Sequence, residues 1–60
     1  MQENEYLTPE EIAKTLKIHA KTVRTWLKEG ELKGIRLKGL WRIPRSEFEA
    51  FLKRKTGGQE

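Results

Sequence analysis

Leu7-Thr8-Pro9-Glu10-Glu11-Ile12-Ala13-Lys14-Thr15-Leu16, a break at Lys17-Ile18-His19, and then Ala20-Lys21-Thr22-Val23-Arg24-Thr25-Trp26-Leu27-Lys28-Glu29-Gly30 decide the fold of this chain. Thr8 is placed to cap a helix, Pro9 suits the first helical position, and Glu11 completes a T-x-x-E capping box. Leu7 stands where a staple residue meets Ile12, and Ile12, Ala13 and Leu16 continue one apolar stripe. The pattern predicts a helix over Pro9 to Leu16. From Ala20 the apolar residues Val23, Trp26 and Leu27 recur at helical spacing, and Gly30 supplies a C-terminal stop. A second helix is therefore expected from Ala20 to Glu29, although His19 is a weaker N-cap than Ser or Asp. Two short helices joined by three residues fit a helix-turn-helix unit.

Beyond Gly30 the period changes. Ile35-Arg36-Leu37 and Trp41-Arg42-Ile43 alternate apolar and basic residues, as strands do. Lys38-Gly39-Leu40 lies between them, with Gly39 able to take a positive φ. A two-stranded hairpin is marginal alone. Its apolar set Ile35, Leu37, Trp41 and Ile43 is thus expected to lie on the helices, with Arg36 and Arg42 outward. After Pro44, Ser46-Glu47-Phe48-Glu49 offers another capping box, and Phe48, Phe51 and Leu52 form a third helical stripe from about Arg45 to Lys53 or Arg54. The fold class is mainly α with a small β-hairpin, a winged helix-turn-helix in the order helix-turn-helix-hairpin-helix. It is expected to occupy residues 6–54, with flexible termini at 1–5 and 55–60. There is no internal repeat or low-complexity stretch.

Sixty residues allow one domain at most. A chain of this size buries only ~60% of the surface it exposes when unfolded. With no cysteine there is no disulfide framework and no thiolate metal site. Tyr6, Trp26, Trp41, Phe48 and Phe51 are therefore expected to supply much of the core. No apolar run approaches the ~20 residues of a membrane span, and no signal-peptide pattern is present. The simplest reading is a soluble intracellular protein. The net charge of +4 is unevenly placed: Met1 to Glu11 carries four glutamates and no basic residue. Lys14 to Arg45 carries ten Lys or Arg against Glu29 and Glu31 alone. A basic block within a folded domain is the electrostatic footprint of a phosphate-binding surface, although a solvated Lys-rich surface has the same composition.

Catalysis has little to work with. There is no Asp or Cys, one His (His19) and one Ser (Ser46). Ser46 is accounted for as a helix cap, and His19 has no partner at metal-ligand spacing. Neither an enzyme, a metal site nor a cofactor site is expected. The Gly residues do not form a phosphate cradle; Gly34 and Gly39 read as turn residues.

The productive arrangement is the second helix with the hairpin. If Val23, Trp26 and Leu27 face inward, then Lys21, Thr22, Arg24, Thr25 and Lys28 lie on outer or flanking faces. A helix of this kind fits the major groove of double-stranded DNA, where Lys21, Arg24 and Thr25 would meet base edges. Lys28, further along, suits phosphate. An amphipathic helix with a solvated charged face is the plainer alternative. Against it, Arg36, Lys38, Arg42 and Arg45 lie on or beside a hairpin that would rest on the backbone or enter the minor groove. Trp26 and Trp41 fall in phase with the core, which argues against single-strand stacking. A protein-interaction adaptor, a different class of function, would show an exposed apolar patch, and none lies outside the assigned core.

Leu7-Thr8-Pro9-Glu10-Glu11-Ile12-Ala13, Thr22-Val23-Arg24-Thr25-Trp26-Leu27, Glu29-Gly30-Glu31-Leu32 and Trp41-Arg42-Ile43-Pro44-Arg45-Ser46-Glu47-Phe48 together resemble the excisionase-family helix-turn-helix domain, related to the DNA-binding head of the MerR regulators. The resemblance spans about Tyr6 to Leu52. It implies Lys21, Thr22, Arg24 and Thr25 in the major groove and Arg36, Lys38, Arg42 and Arg45 at the wing. Lys17 and His19 depart from the family's small residue and its Ser or Thr cap, which leaves the turn geometry open. The implied role is an excisionase-like accessory factor that binds and bends DNA through the second helix and the wing. Its partners would be an integrase or recombinase and further copies of itself on DNA. A small transcriptional regulator, or the DNA-binding head of a longer recombinase, would use the same surface. The dimerising helix and effector domain of MerR regulators have no counterpart in these residues.

Overall fold

The Thr8 capping box forms. The Thr8 hydroxyl accepts from the Glu11 amide at 3.1 Å, and the Glu11 carboxylate accepts from the Thr8 amide at 2.9 Å. In this computed structural model, which describes residues 5–56, the chain runs β1 (Tyr6–Leu7), α1 (Pro9–Leu16), α2 (Ala20–Glu29), β2 (Ile35–Leu37), β3 (Leu40–Pro44) and α3 (Arg45–Lys55). Three helices and a small antiparallel sheet make a winged helix-turn-helix. Both helices of the helix-turn-helix have the bounds expected from their periodicity.

The turn is made by backbone. Lys17 ends α1 in the left-handed conformation (φ 59°, ψ 47°), and the Ile18 amide reaches back to the Ala13 carbonyl at 2.9 Å. A side chain in this conformation carries a steric cost that glycine lacks. His19 precedes α2 in an extended conformation, and its side chain makes no capping hydrogen bond. Gly30 closes α2 at φ 82°.

The core consists of Ile12 and Ala13 from α1, Val23 and Leu27 from α2, Leu32, Ile43 from β3, and Phe48 and Phe51 from α3. No polar or charged residue is buried among the described residues. Trp26 and Trp41 are half-buried at the margin of this cluster. Trp26 meets the Phe51 ring with centroids 4.8 Å apart. Tyr6, expected in the core, is 51% exposed. Its strand was not legible, because two residues are too few to show an alternation. Tyr6 and Leu7 pair with Pro44 and Ile43, so the sheet has three strands in the order β1-β3-β2.

The hairpin register differs from the expectation in a way that matters for the surface. Lys38 (φ 52°) and Gly39 (φ 82°) both have positive φ, the signature of a two-residue type I′ turn. The loop therefore excludes Leu40, and the pairs are Ile35↔Arg42, Arg36↔Trp41 and Leu37↔Leu40. Shifting a strand by one residue moves its side chains to the opposite face. Arg36, expected outward, now shares the helix-facing side with Trp41 and Ile43. Ile35 (43% exposed), Leu37 (55%) and Leu40 (57%) stand on the outer side, so the chain does carry exposed apolar residues outside its core. Arg42 lies on that outer side but is half-buried, its guanidinium donating to the Trp41 carbonyl at 2.8 Å.

Two further expectations are corrected. Ser46 does not cap α3; it lies within the first turn, after Pro44 at the N-cap position. β3 runs directly into the helix, and the Arg45 amide is taken by the Glu5 carbonyl at 3.0 Å, extending the β1–β3 pairing. Gly34 is a close-approach position rather than a turn residue. A Cβ there would lie 2.9 Å from Leu27 Cδ2 and 3.1 Å from both the Arg42 oxygen and Ile43 Cγ1. Of the termini expected to be flexible, residues 1–4 and 57–60 lie outside the described residues. Glu5 is bonded to Arg45, Lys55 belongs to α3 and Thr56 caps it.

Candidate nucleic-acid interface

The burial of Val23 and Leu27 fixes the orientation of α2 and leaves Lys21, Thr22, Arg24, Thr25 and Lys28 exposed. Four of these, Lys21, Arg24, Thr25 and Lys28, line one side of a groove of about 260 Å³. The hairpin supplies the other side through Arg36 and Trp41. The Arg36 guanidinium lies over the Trp41 ring, 5.4 Å from its centroid. Four cations and a hydroxyl thus converge on a furrow between helix and wing, with an aromatic ring among them. The Thr25 hydroxyl donates to the Lys21 carbonyl at 3.1 Å, which leaves its oxygen lone pairs and its methyl for a ligand.

Arg24 also borders a neighbouring groove, of about 110 Å³, lined by Pro9, Glu10, Gly39, Leu40, Trp41 and Arg42. There its guanidinium pairs with the Glu10 carboxylate at 3.1 Å, and both side chains are solvent-exposed. Exposed pairs of this type contribute about 0–1 kcal/mol, so the contact steers Arg24 more than it stabilises the fold. Lys38 sits at the tip of the hairpin. Thr22 is exposed in the first turn of α2 but does not line the groove. Arg45 is not brought to it either. Its guanidinium is held by Glu5 Oε1 at 3.0 and 3.2 Å, and Glu5 adjoins β1, at the opposite edge of the sheet from β2.

A larger hollow, about 500 Å³, lies elsewhere, between Gly30, Glu31, Lys33, Arg54 and Lys55. Its size is not evidence of a site, because two of its cations are already engaged. Arg54 donates to the Glu31 carbonyl at 2.6 Å, and Lys55 pairs with the Glu31 carboxylate at 2.9 Å. Among the described residues there is no group of three or more His, Cys, Asp or Glu able to hold a metal ion. No helix there is long and apolar enough to cross a membrane.

Residues 6–56 match a family model described as a helix-turn-helix domain. The chain belongs to the helix-turn-helix domain family. That family includes excisionase-like DNA-binding domains, and membership supports double-stranded DNA as the partner. The chain is also 41% identical over 56 residues to a probable protein adenylyltransferase of Aquifex aeolicus (strain VF5). The match takes in 92% of this chain but only 18% of that protein. No solved structure matches the chain.

Within this helix-turn-helix domain, two residues beside the grooves are not among the expected site residues. Trp41, expected in the core, is half-buried and lines the groove. A two-residue reading of Lys38-Gly39 would have set it opposite Arg36. Glu10 stands in the first turn of α1. Its approach to Arg24, fourteen positions away, is a product of how α1 packs on α2 and leaves no mark in the local pattern.

Proposed function

We propose that this helix-turn-helix domain reads double-stranded DNA sequence-specifically, with α2 in the major groove and the wing across the adjoining backbone. The observation that carries this reading is the shared groove, in which Lys21, Arg24, Thr25 and Lys28 of α2 face Arg36 of the wing. A phosphodiester strand separates the major from the minor groove, and a cation-lined furrow between helix and hairpin suits such a strand. Lys21, Arg24 and Thr25 read base edges, with Thr22 beside them at the start of the helix. Lys28 and Arg36 hold phosphates. Lys38 and Arg42 serve the wing, and Arg45, tied to Glu5, contributes at the periphery.

The role at cellular scale is that of an excisionase-like accessory factor, which binds and bends DNA for an integrase or recombinase and self-associates along its site. A second reading, a DNA-targeting module of a longer chain, is favoured by the likeness to a segment of a much longer protein. Both use the same docking surface. Binding isotherms on random and selected duplexes over a range of salt test it. Arg24→Ala is expected to relax preference at one or two base pairs, at a cost of about 1–3 kcal/mol. Arg36→Ala should weaken binding to every sequence alike and reduce the salt slope by about one counterion. Unchanged isotherms for both variants at low salt would remove this surface from DNA binding.

A further inference from the structure

Leu37 and Leu40 flank the two-residue turn and are directly opposed in the β2–β3 register, so their side chains form one apolar unit near the tip of the hairpin. They are 55% and 57% exposed, and neither belongs to the residues packed against the core. The chain places this apolar surface among cations. Lys38 follows Leu37 in the turn, and Arg42 stands two positions beyond Leu40 on the same strand face, while Arg36 lies on the opposite, groove-facing side. Between Glu31 and Glu47 the sequence has no acidic residue, and the carboxylate of Glu10, which borders the same groove as Leu40, is paired with Arg24. An apolar patch built to meet a protein is normally depleted in charge at its centre. Leucines interleaved with Lys and Arg suit a partner that is both a polyanion and an apolar stack, and DNA is such a partner.

We propose that Leu37 and Leu40 form an apolar wedge that enters the minor groove and opens a base step, bending the duplex. The inference rests on the docking reading given above. With a DNA strand in the groove between α2 and Arg36, the hairpin tip projects beyond that strand, on its minor-groove side. The minor groove of unbent B-DNA is about 6 Å wide. Paired strands lie about 4.8 Å apart before their side chains are counted, so the tip fits only where the groove has been widened. Widening and partial unstacking bend DNA toward the major groove, and burial of aliphatic side chains between bases offsets the cost. Flexible TA and CA/TG steps deform most readily and are the expected sites.

The test uses the full chain and a short duplex enriched from random DNA by the protein itself. The duplex carries a donor–acceptor pair at its ends and 2-aminopurine at successive TA or CA/TG steps. Binding is expected to raise both energy transfer and 2-aminopurine fluorescence at one step. The Leu37→Ser/Leu40→Ser double variant, with an unchanged helical circular dichroism spectrum, is expected to lose both signals. Its affinity should fall about tenfold at an unchanged salt slope, since no phosphate contact has been removed. Arg36→Ala, saturated with DNA, should keep the fluorescence signal while its salt slope falls. The wedge is overturned if wild-type protein binds without bending, or if the double variant bends and unstacks DNA as wild type does; the leucines then face a protein. If wild-type protein binds no duplex at low salt, the docking reading itself fails, which is a separate result.

Discussion

The helix pair and the wing are held by different means. Helices α1 and α2 bury Ile12, Ala13, Val23 and Leu27 against each other and the rest of the core. Strand β2 buries nothing: all three of its residues are exposed, and it is attached only along β3. Ile43 is the one fully buried residue of the hairpin, with Trp41 half-buried beside it. The proposed DNA surface is therefore assembled from a rigid part and a lightly anchored part. The helix supplies side chains whose direction is fixed by packing, as sequence readout requires. The wing supplies cations and exposed leucines whose placement depends on one strand and one turn.

The sharpest way to break this comparison is to truncate one apolar residue from each side of the hairpin. Ile43→Ala is expected to cost about 2–5 kcal/mol through the cavity it leaves. A single small core supplies little more than 3–5 kcal/mol in total, so urea unfolding should find this variant largely unfolded. Leu37→Ala should leave the unfolding midpoint within about 0.5 kcal/mol of wild type. Equal effects would mean that the outer face of the wing is packed after all. Gly34→Ala comes next, at about 1–3 kcal/mol, because its methyl group meets Leu27, Ile43 and the Arg42 carbonyl. A loss of that size, read as a lowered thermal midpoint, would locate the seam between α2 and the wing at this one position. The smallest effect separates two similar sequence motifs. Thr8→Ala should cost about 1 kcal/mol, since its capping box is formed. Ser46→Ala should be neutral within about 0.5 kcal/mol, since Ser46 makes no capping bond.

Those two motifs show where sequence reading succeeded and where it stopped. Thr8 and Ser46 both stand three residues before a glutamate. Only Thr8 follows a strand with one residue to spare. At Ser46 the helix begins directly at the end of β3, and the Glu5 carbonyl satisfies the amide that starts the helix. The same limit governs the candidate site. Lys21, Arg24, Thr25 and Lys28 were legible because a 3.6-residue period, once anchored by Val23 and Leu27, assigns every other position on α2 to a face. Arg36 lies on the face opposite to the one expected and lines the groove, because strand alternation leaves the choice of face to the register. Glu10 was not legible as a groove residue, since it meets Arg24 fourteen positions away, and Trp41 would have been legible only with the two-residue turn that sets it opposite Arg36.

By itself, the sequence determined the bounds of α1 and α2, the presence of a hairpin and a third helix, the basic character of the region from Lys14 to Arg45, and the helix-turn-helix class. These depend on capping, period and composition, which act within a few residues along the chain. Only the tertiary structure decided the pairing of Tyr6–Leu7 with β3, the face on which Arg36 lies, the exposure of Leu37 and Leu40, and the meeting of Arg24 with Glu10. The register turns on whether Lys38 accepts a positive φ, a conformation disfavoured for a side chain and taken here to close a two-residue turn between strands of matching twist. Local propensity opposes that choice, and pairing along β3 overrides it.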